Sequence, residues 1–262
     1  PLTMVASYIT RFGDYFISLI EQMGEIAIFF YSAVAASVTR PFNFRLLMEQ
    51  IDEIGFKSIP IVIASAMAIG MVMVVQLAWG FAWFGAKGIV GPVVSLSFVR
   101  ELGPVVASLL VGGRVGAGIT AEIGSMKVTE QIDAIRTLGA DPVRKLVVPR
   151  LIASVIAFPF LTIIADFTGI FGALLMSMID LDVQPRLFIS SILEWVTIND
   201  FISGISKTFF FGIIVAITGC YIGMRAEGGT QGVGRATTQT VVVSLLLIII
   251  GDFFLTKLFL LL

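Results

Sequence analysis

ELGPVVASLLVGGRVGAGITAEIGSMKVTEQIDAIRTLGADPVRKLVVPR runs from Glu101 to Arg150. A glycine-rich apolar run ends here in acids and bases set at helical spacing, and a second apolar run begins at Leu151. That alternation is how a chain leaves a bilayer, shows a charged segment to water and re-enters. Ile123, Met126, Ile132, Ile135 and Leu138 fall mostly at multiples of three, while Lys127, Glu130, Asp133 and Arg136 step along another face. Gly139 suits a left-handed C-cap, and Asp141 before Pro142 suits an N-cap with proline at the first helical position. The spacing predicts a short helix from Glu122 to Leu138, closed before the next span starts.

Composition places this block in its setting. The chain has 262 residues, 57% hydrophobic and 13% charged, with a mean hydropathy of +1.01. An ordinary soluble domain is about 45–50% apolar and 25% charged. A soluble fold could not bury so much apolar surface, so the fold class is an all-α polytopic membrane protein. A net charge of −1 gives nucleic acid no electrostatic footprint. Histidine is absent, which excludes a Ser-His triad and an HExxH zinc site, and no metal site is expected. The single Cys220 forms no intrachain disulfide. The chain starts at Pro1 without a methionine, so the expectation is that its true terminus lies further upstream. Arg11, Asp14, Glu21 and Glu25 interrupt the first segment and argue against a cleavable signal peptide.

On a helical wheel, Arg11, Asp14, Ser18, Glu21, Gln22 and Glu25 occupy an arc of about 100°, with Phe12, Ile17, Ile26 and Phe29 on the remainder. This describes a helix lying in the membrane interface. Pro41 ends it, and Phe44, Leu47, Met48, Ile51 and Ile54 form a second stripe opposite Arg45, Glu49, Glu53 and Lys57, an elbow into the bilayer. Charge-free Ile59 to Ala86 is the first span, with Trp79 and Trp83 at its far interface. The second runs from about Ile89 to Ile119 around Arg100 and Glu101. The third runs from Leu151 to Ile179, with Asp166 inside it and Pro159 as a kink. The fourth runs from about Thr208 to Met224 and the fifth from about Thr237 to the end. The single domain, residues 1–262, divides into interfacial and elbow helices (1–57) and a transmembrane core (58–262) with a helix at about 120–139.

Lys and Arg gather on one side: Arg11, Arg40, Arg45, Lys57, Lys127, Arg136, Arg144, Lys145, Arg150, Arg225 and Arg235. Lys87, Arg186, Lys207 and, late in the fifth span, Lys257 are assigned to the other, where residues 180–203, with Trp195, suggest a short interfacial helix. The positive-inside rule then predicts a cytoplasmic N-terminus and a C-terminus on the far side.

Arg100 and Glu101 are ionisable groups inside a span, which usually face protein or a wet cavity. Neighbours on a helix point about 100° apart, so each needs a partner elsewhere. Pro104 lacks the amide that would bond the carbonyl of Arg100 and so loosens the helix there. Two roles stay open: an ion pair with Asp166 or Lys207 that fixes packing, or a lining for a ligand cavity in which Arg100 forks onto a phosphodiester. Gly112 with Gly116, and Gly113 with Ala117, make small-xxx-small pairs for close helix packing, with Gly118 beside them; a hinge is the alternative. The Glu122–Leu138 helix is either solvated or docks on a partner. Met126, Ile132 and Ile135 favour docking, since a solvated loop has no use for them. GTQGVGRA, Gly229 to Ala236, matches a P-loop at its glycines but has Arg235 for the lysine and Ala236 for the Ser/Thr, with no strand before it. Nucleotide binding is rejected there; Arg235 suits a second cytoplasmic contact.

RELGPVVASLLVGGRVGAGITAEIGSMKVTEQIDAIRTLGADPVRKLVVPRLIA, from Arg100, closely resembles the signature of the MlaE permease family, and GRATTQTVVVSLLLIIIGDFFLT, from Gly234, resembles its last helix. The resemblance extends from the elbow to the C-terminus. It implies a bacterial inner-membrane permease that pairs with a second copy of itself. A cytoplasmic ABC ATPase dimer would supply ATP and magnesium, and a periplasmic MCE-domain protein would sit opposite. A STAS-domain regulator is a further partner it implies. Phospholipid would pass between the two copies, and no cofactor would sit in this chain. The resemblance assigns Arg100, Glu101 and Pro104 to the lipid cavity, and Glu122, Met126, Lys127, Glu130, Asp133 and Arg136 to a coupling helix against the ATPase. The chain is then not itself an enzyme. A secondary transporter or channel without an ATPase would share the midplane charges, but an odd number of spans and a charged docking block do not suit it. An intramembrane hydrolase is left with only Ser206 beside Lys207, a poor nucleophile pair.

Overall fold

The computed structural model describes residues 21, 24–37, 44–82 and 89–261. The polar arc from Arg11 to Ser18, Gln22, Pro41, Trp83 and Lys87 lie outside the described residues. The described residues form helices and turns and no strand. Five helical stretches are long and apolar enough to cross a membrane: Phe44–Phe81, Val90–Val128, Val143–Leu181, Ile198–Gly223 and Gly229–Leu261. The protein is an integral membrane protein.

Helix α1, Gly24–Ser37, is short and apolar. Ala33 is buried and Ile26 and Phe29 pack on the core, while Ile28, Tyr31 and Val34 are exposed. Helix α2, Phe44–Ile54, buries Leu47 and Ile54 against α7 and shows its Arg45–Glu49 pair to the outside. A 3-10 turn, Phe56–Ser58, joins it to α3, Ile59–Ala82, giving the predicted elbow. Helix α4, Val90–Ser97, passes through a π turn, Phe98–Leu102, into α5, Gly103–Val128. After a corner comes α6, Gln131–Thr137; a second π turn, Val143–Val147, leads into α7, Val148–Leu181, which stays helical through Pro159. Helix α8, Pro185–Trp195, caps the opposite end, and α9, Ile198–Gly223, returns to α10, Gly229–Leu261. The elbow, α6 and the α9–α10 connection therefore share one end, called here the charged end.

Helix α7 is the axis. It packs along α3, α9, α2 and α5, and 67% of its most apolar window is buried, against 11% for α10, which lies outermost on α5 and α9. Thr120 locks the α5–α9–α10 seam: its hydroxyl donates to the Gly219 carbonyl at 3.0 Å or shares a 2.7 Å hydrogen bond with Thr240. The expected small-residue seam is real on one side only. A Cβ at Gly112 would meet Val215 and Ile248 at 3.0 and 3.2 Å, and one at Gly116 would meet Thr240 at 3.3 Å. Gly113 and Gly118 face open space, so the packing role expected of them is corrected.

The fourth span also needs correction. It begins at Ile198 rather than Thr208, because Thr197 and Asp200 form a capping box: the Asp200 amide donates to Thr197 Oγ1, and the Thr197 amide to Asp200 Oδ2. Lys207 is thereby placed inside the bundle instead of on its far side.

Close backbone approach makes a direct test. A Cβ at Gly204 of α9 would lie 2.1 Å from the Val99 carbonyl oxygen, so Gly204→Ala is expected to destabilise the purified protein by about 1–3 kcal/mol. Gly113→Ala, with nothing within 4 Å, should leave stability unchanged or raise it by up to about 1 kcal/mol. Equal thermal unfolding of the two variants in detergent would contradict the packing described.

Candidate functional site

Two polar regions stand out, one inside the bundle and one at the charged end. The inner one starts at the π turn. Gly103 donates its amide to the Phe98 carbonyl, and Pro104 has no amide to offer Arg100. The Arg100 carbonyl is taken instead by Lys207 Nζ at 3.1 Å. The same ammonium donates to Glu101 Oε2 and to Thr256 Oγ1, both at 2.7 Å. An ammonium has three protons, and these three acceptors use them all. Asp252 Oδ1 completes the charge balance at 3.4 Å, and the Thr256 hydroxyl lies 3.3 Å from both Glu101 oxygens.

Arg100 turns away from this cluster. Its Nε faces Asp200 Oδ1 at 3.6 Å. Two cations thus stand among three carboxylates, drawn from the π turn, α9 and α10. Lys207 is 1% exposed, but the side chains of Arg100 and Glu101 are 35% and 38% exposed. The pair therefore offers a cation and an anion to a ligand, while Lys207 is saturated within the protein. Pro104 does not join them; it is buried against Gly204, and its contribution is the carbonyl it frees. Of the two partners expected for a packing ion pair, Lys207 binds Glu101, whereas Asp166 binds neither Arg100 nor Glu101.

Sequence reasoning found Arg100 and Glu101 and missed Asp200, Asp252 and Thr256 as their company. The Thr-x-x-Asp cap at 197–200 and the one-turn spacing of Asp252 and Thr256 in an apolar run were the available signals.

At the charged end, the expected single helix is two. Glu122, Met126 and Lys127 continue α5; Glu130 turns the corner with φ 59°, and Asp133 and Arg136 belong to α6. Lys127 reaches across the corner to Asp133 Oδ2 at 3.0 Å, and Arg136 lies 3.4 Å from the other oxygen. Gly139, at φ 77°, closes α6, and Asp141 Oδ1 accepts the Val143 amide as expected of a cap. Ile132 is buried in the chain's own core, with Met126 and Ile135 packed on it. These three therefore serve internal packing and leave no apolar surplus for a partner; Leu138, 85% exposed, is the one apolar side chain of that stripe left outside. Glu122 Oε2 meets Arg150 Nη2 at 2.7 Å, which ties α5 to the start of α7.

Arg114, which the sequence reading passed over, ties α5 to the elbow. It donates to Ser58 Oγ at 2.8 Å and to the Glu53 carbonyl at 3.1 Å. Residues 229–236 form the first turns of α10, not a phosphate loop. Arg235 lies there with Gln231, Thr238 and Gln239 along an open groove of about 780 Å³. Nearby, Glu25 of α1 accepts from Tyr221 at 2.7 Å and from Arg225. The hydrogen bond from Arg225, then that from Tyr221, holds the Glu25 carboxyl below its ordinary range. Being depressed, this group is ionised at neutral pH, and the latch weakens only as pH falls through the lowered value.

The class these features define is a helical membrane protein with a half-open charged network inside its spans and a charged platform at one end. The family model for permease MlaE matches residues 47–258. A Rickettsia bellii protein described as a probable ABC transporter permease is 40% identical over 98% of this chain and 99% of its own length. A Synechocystis protein of the same description is 42% identical over 82% of this chain and 81% of its own. The chloroplastic protein trigalactosyldiacylglycerol 1 of Arabidopsis thaliana is 36% identical over 83% of this chain and 62% of its own. The chain belongs to the MlaE permease family.

Removing one member of a buried charge cluster strands the others. Lys207→Met is expected to cost about 3–5 kcal/mol of stability, because Glu101 and Asp252 lose their shared cation. Adding Glu101→Gln and Asp252→Asn to that variant should restore most of the loss in thermal unfolding. Failure of the triple variant to recover would show that Lys207 is held by something other than this network.

Proposed function

We propose that this chain is the permease subunit of an ABC phospholipid transporter in a bacterial inner membrane. It would move lipid between that membrane and a periplasmic MCE-domain partner while a separate cytoplasmic ATPase hydrolyses ATP. The observation that carries this is the half-exposed Arg100–Glu101 pair set within an apolar bundle. A phospholipid presents a charged head on an apolar body, and this surface matches both parts. Arg100 suits a phosphodiester because its guanidinium is a planar fork of donors. The descriptions of the bacterial relatives support the ABC class, and the Arabidopsis relative's name is that of a glycosylated diacylglycerol.

The low burial of α10, with Val242, Leu246, Ile249 and Phe253 exposed, leaves a face for a second copy, so that two networks would border one lipid path. The charged end, rich in Lys and Arg, is assigned to the cytoplasm by the positive-inside rule. There the α5–α6 corner, with Glu130, Asp133, Arg136 and exposed Leu138, would dock on the ATPase, and Arg235 would make a second contact. The MCE partner, and any STAS regulator, are proposed from the family resemblance.

Copurification tests both halves. Arg100→Ala is expected to reduce the phospholipid that purifies with the complex several-fold while the protein stays inserted. Glu130→Lys with Asp133→Lys should abolish permease-dependent ATP hydrolysis without loss of bound lipid. Undiminished lipid in the first variant removes Arg100 from the path, and unchanged hydrolysis in the second removes the corner from the coupling surface.

A further inference from the structure

Asp166 is the one ionisable side chain of α7 between Arg150 and Asp180, and it is 1% exposed. No donor among the described residues reaches either of its carboxyl oxygens. Its position is specific. A Cβ on Gly103 would lie 1.7 Å from Asp166 Oδ1, and a Cβ on Gly169, one turn further along α7, would lie 2.1 Å from the Phe98 ring. Phe98 opens the π turn and Gly103 follows its last residue. One face of α7 therefore grips both ends of the turn that carries Arg100 and Glu101.

The charged groups around this face are engaged elsewhere. On the π turn, Arg100 faces Asp200 and Glu101 faces Lys207; on α9, Asp200 and Lys207 are those same partners. On α5, Arg114 binds Glu53, Glu122 binds Arg150, and Lys127 binds Asp133, all toward the charged end. Helices α3 and α4 carry no ionisable residue. Helix α2, with Arg45, Glu49, Asp52 and Glu53, packs on the charged-end half of α7, where Gly55 just after it lies against Ala157, about 14 Å of helical rise from Asp166. The turn bearing Arg144 and Lys145 meets the start of α7, about 27 Å of rise away. Helix α8, with Arg186 and Glu194, lies beyond the other end of α7, about 22 Å of rise away.

A carboxylate buried without a cation or a donor is strongly disfavoured, and such a group keeps its proton instead. We propose that Asp166 is a proton-binding site, occupied while the π turn rests on α7 and emptied when the turn separates from it. Separation admits water; the Asp166 O–H bond breaks and the proton passes to that water. Return of the turn expels the water and requires the proton back. Movement of the Arg100–Glu101 pair is thereby tied to proton binding, a linkage absent from the function proposed above.

The test is infrared spectroscopy of the full permease with its ATPase partner in lipid nanodiscs, because a neutral carboxylic acid and a carboxylate absorb at separate carbonyl frequencies. At neutral pH the spectrum should contain a neutral-acid band that Asp166→Asn removes, and trapping the ATP-bound state should diminish that band in the unmodified protein alone. If Asp166→Asn removes only carboxylate absorption, Asp166 is ionised and the proposal fails. A neutral-acid band that stays constant through the nucleotide cycle also overturns it, leaving Asp166 a fixed prop. Neither readout depends on the cargo: loss of the Asp166 signal and loss of copurifying lipid in Arg100→Ala are separate outcomes.

Discussion

The ammonium of Lys207 is the fixed point of this fold. Three protons on one nitrogen meet a backbone carbonyl from the π turn, a carboxylate from the same turn and a hydroxyl from α10. A lysine so deep in a bundle is tolerable only when its charge and all of its donors are met, and each acceptor here comes from a different constraint. Pro104 supplies the first by lacking an amide. Glu101 supplies the second because the wider π turn displaces it from the regular helical register. Thr256 supplies the third, and Asp252, one turn before it, adds a further charge. The arrangement fixes the register of α9 against both α5 and α10.

The same constraint explains which parts of the molecule could be read from the chain alone. The elbow, the five spans and α8 were legible because each rests on local composition: charge-free runs, an amphipathic stripe, a proline after a polar turn. The fourth span was read ten residues short because Lys207 and Asp200 look like residues of a membrane boundary. The partners that make Lys207 acceptable inside lie 106 and 49 residues away in sequence, at Glu101 and Thr256. No local pattern carries such pairing. The platform misled in the other direction. Met126, Ile132 and Ile135 have the spacing of a docking stripe, but the corner at Glu130 folds them back on the chain's own core. Periodicity reports that a face will be buried, not what buries it.

Helix α5 joins the inner network to the platform without a break. It runs from Gly103, just after Glu101, to Val128, about 39 Å of continuous helix. Along it, Thr120 is bonded to the α9–α10 seam, Arg114 to the elbow and Glu122 to the start of α7. A rod tied at so many points does not bend freely, so a displacement of its lower end reaches the upper end as translation or rotation. Rigid transmission of this kind needs a compliant element where it arrives. The π turn is that element: its hydrogen bonds close over one residue more than those of the helices on either side, and Pro104 has removed one of them.

What resists such a movement is the packing of the turn on α7. Phe98 fills the space left by Gly169, and Gly103 leaves room for Asp166, so the contact has no side chain to spare on either surface. A Cβ at Gly103 or Gly169 would push the turn away permanently; the two glycines allow it to rest close and still leave. The Lys207 bonds, by contrast, tie the turn to α9 and α10. The turn therefore lies between a close-packed contact on one side and an ionic tether on the other. A shift away from α7 can keep the tether only if α9 and α10 follow. The charged pair and the outer helices must then move as one body, with α7 as the stator.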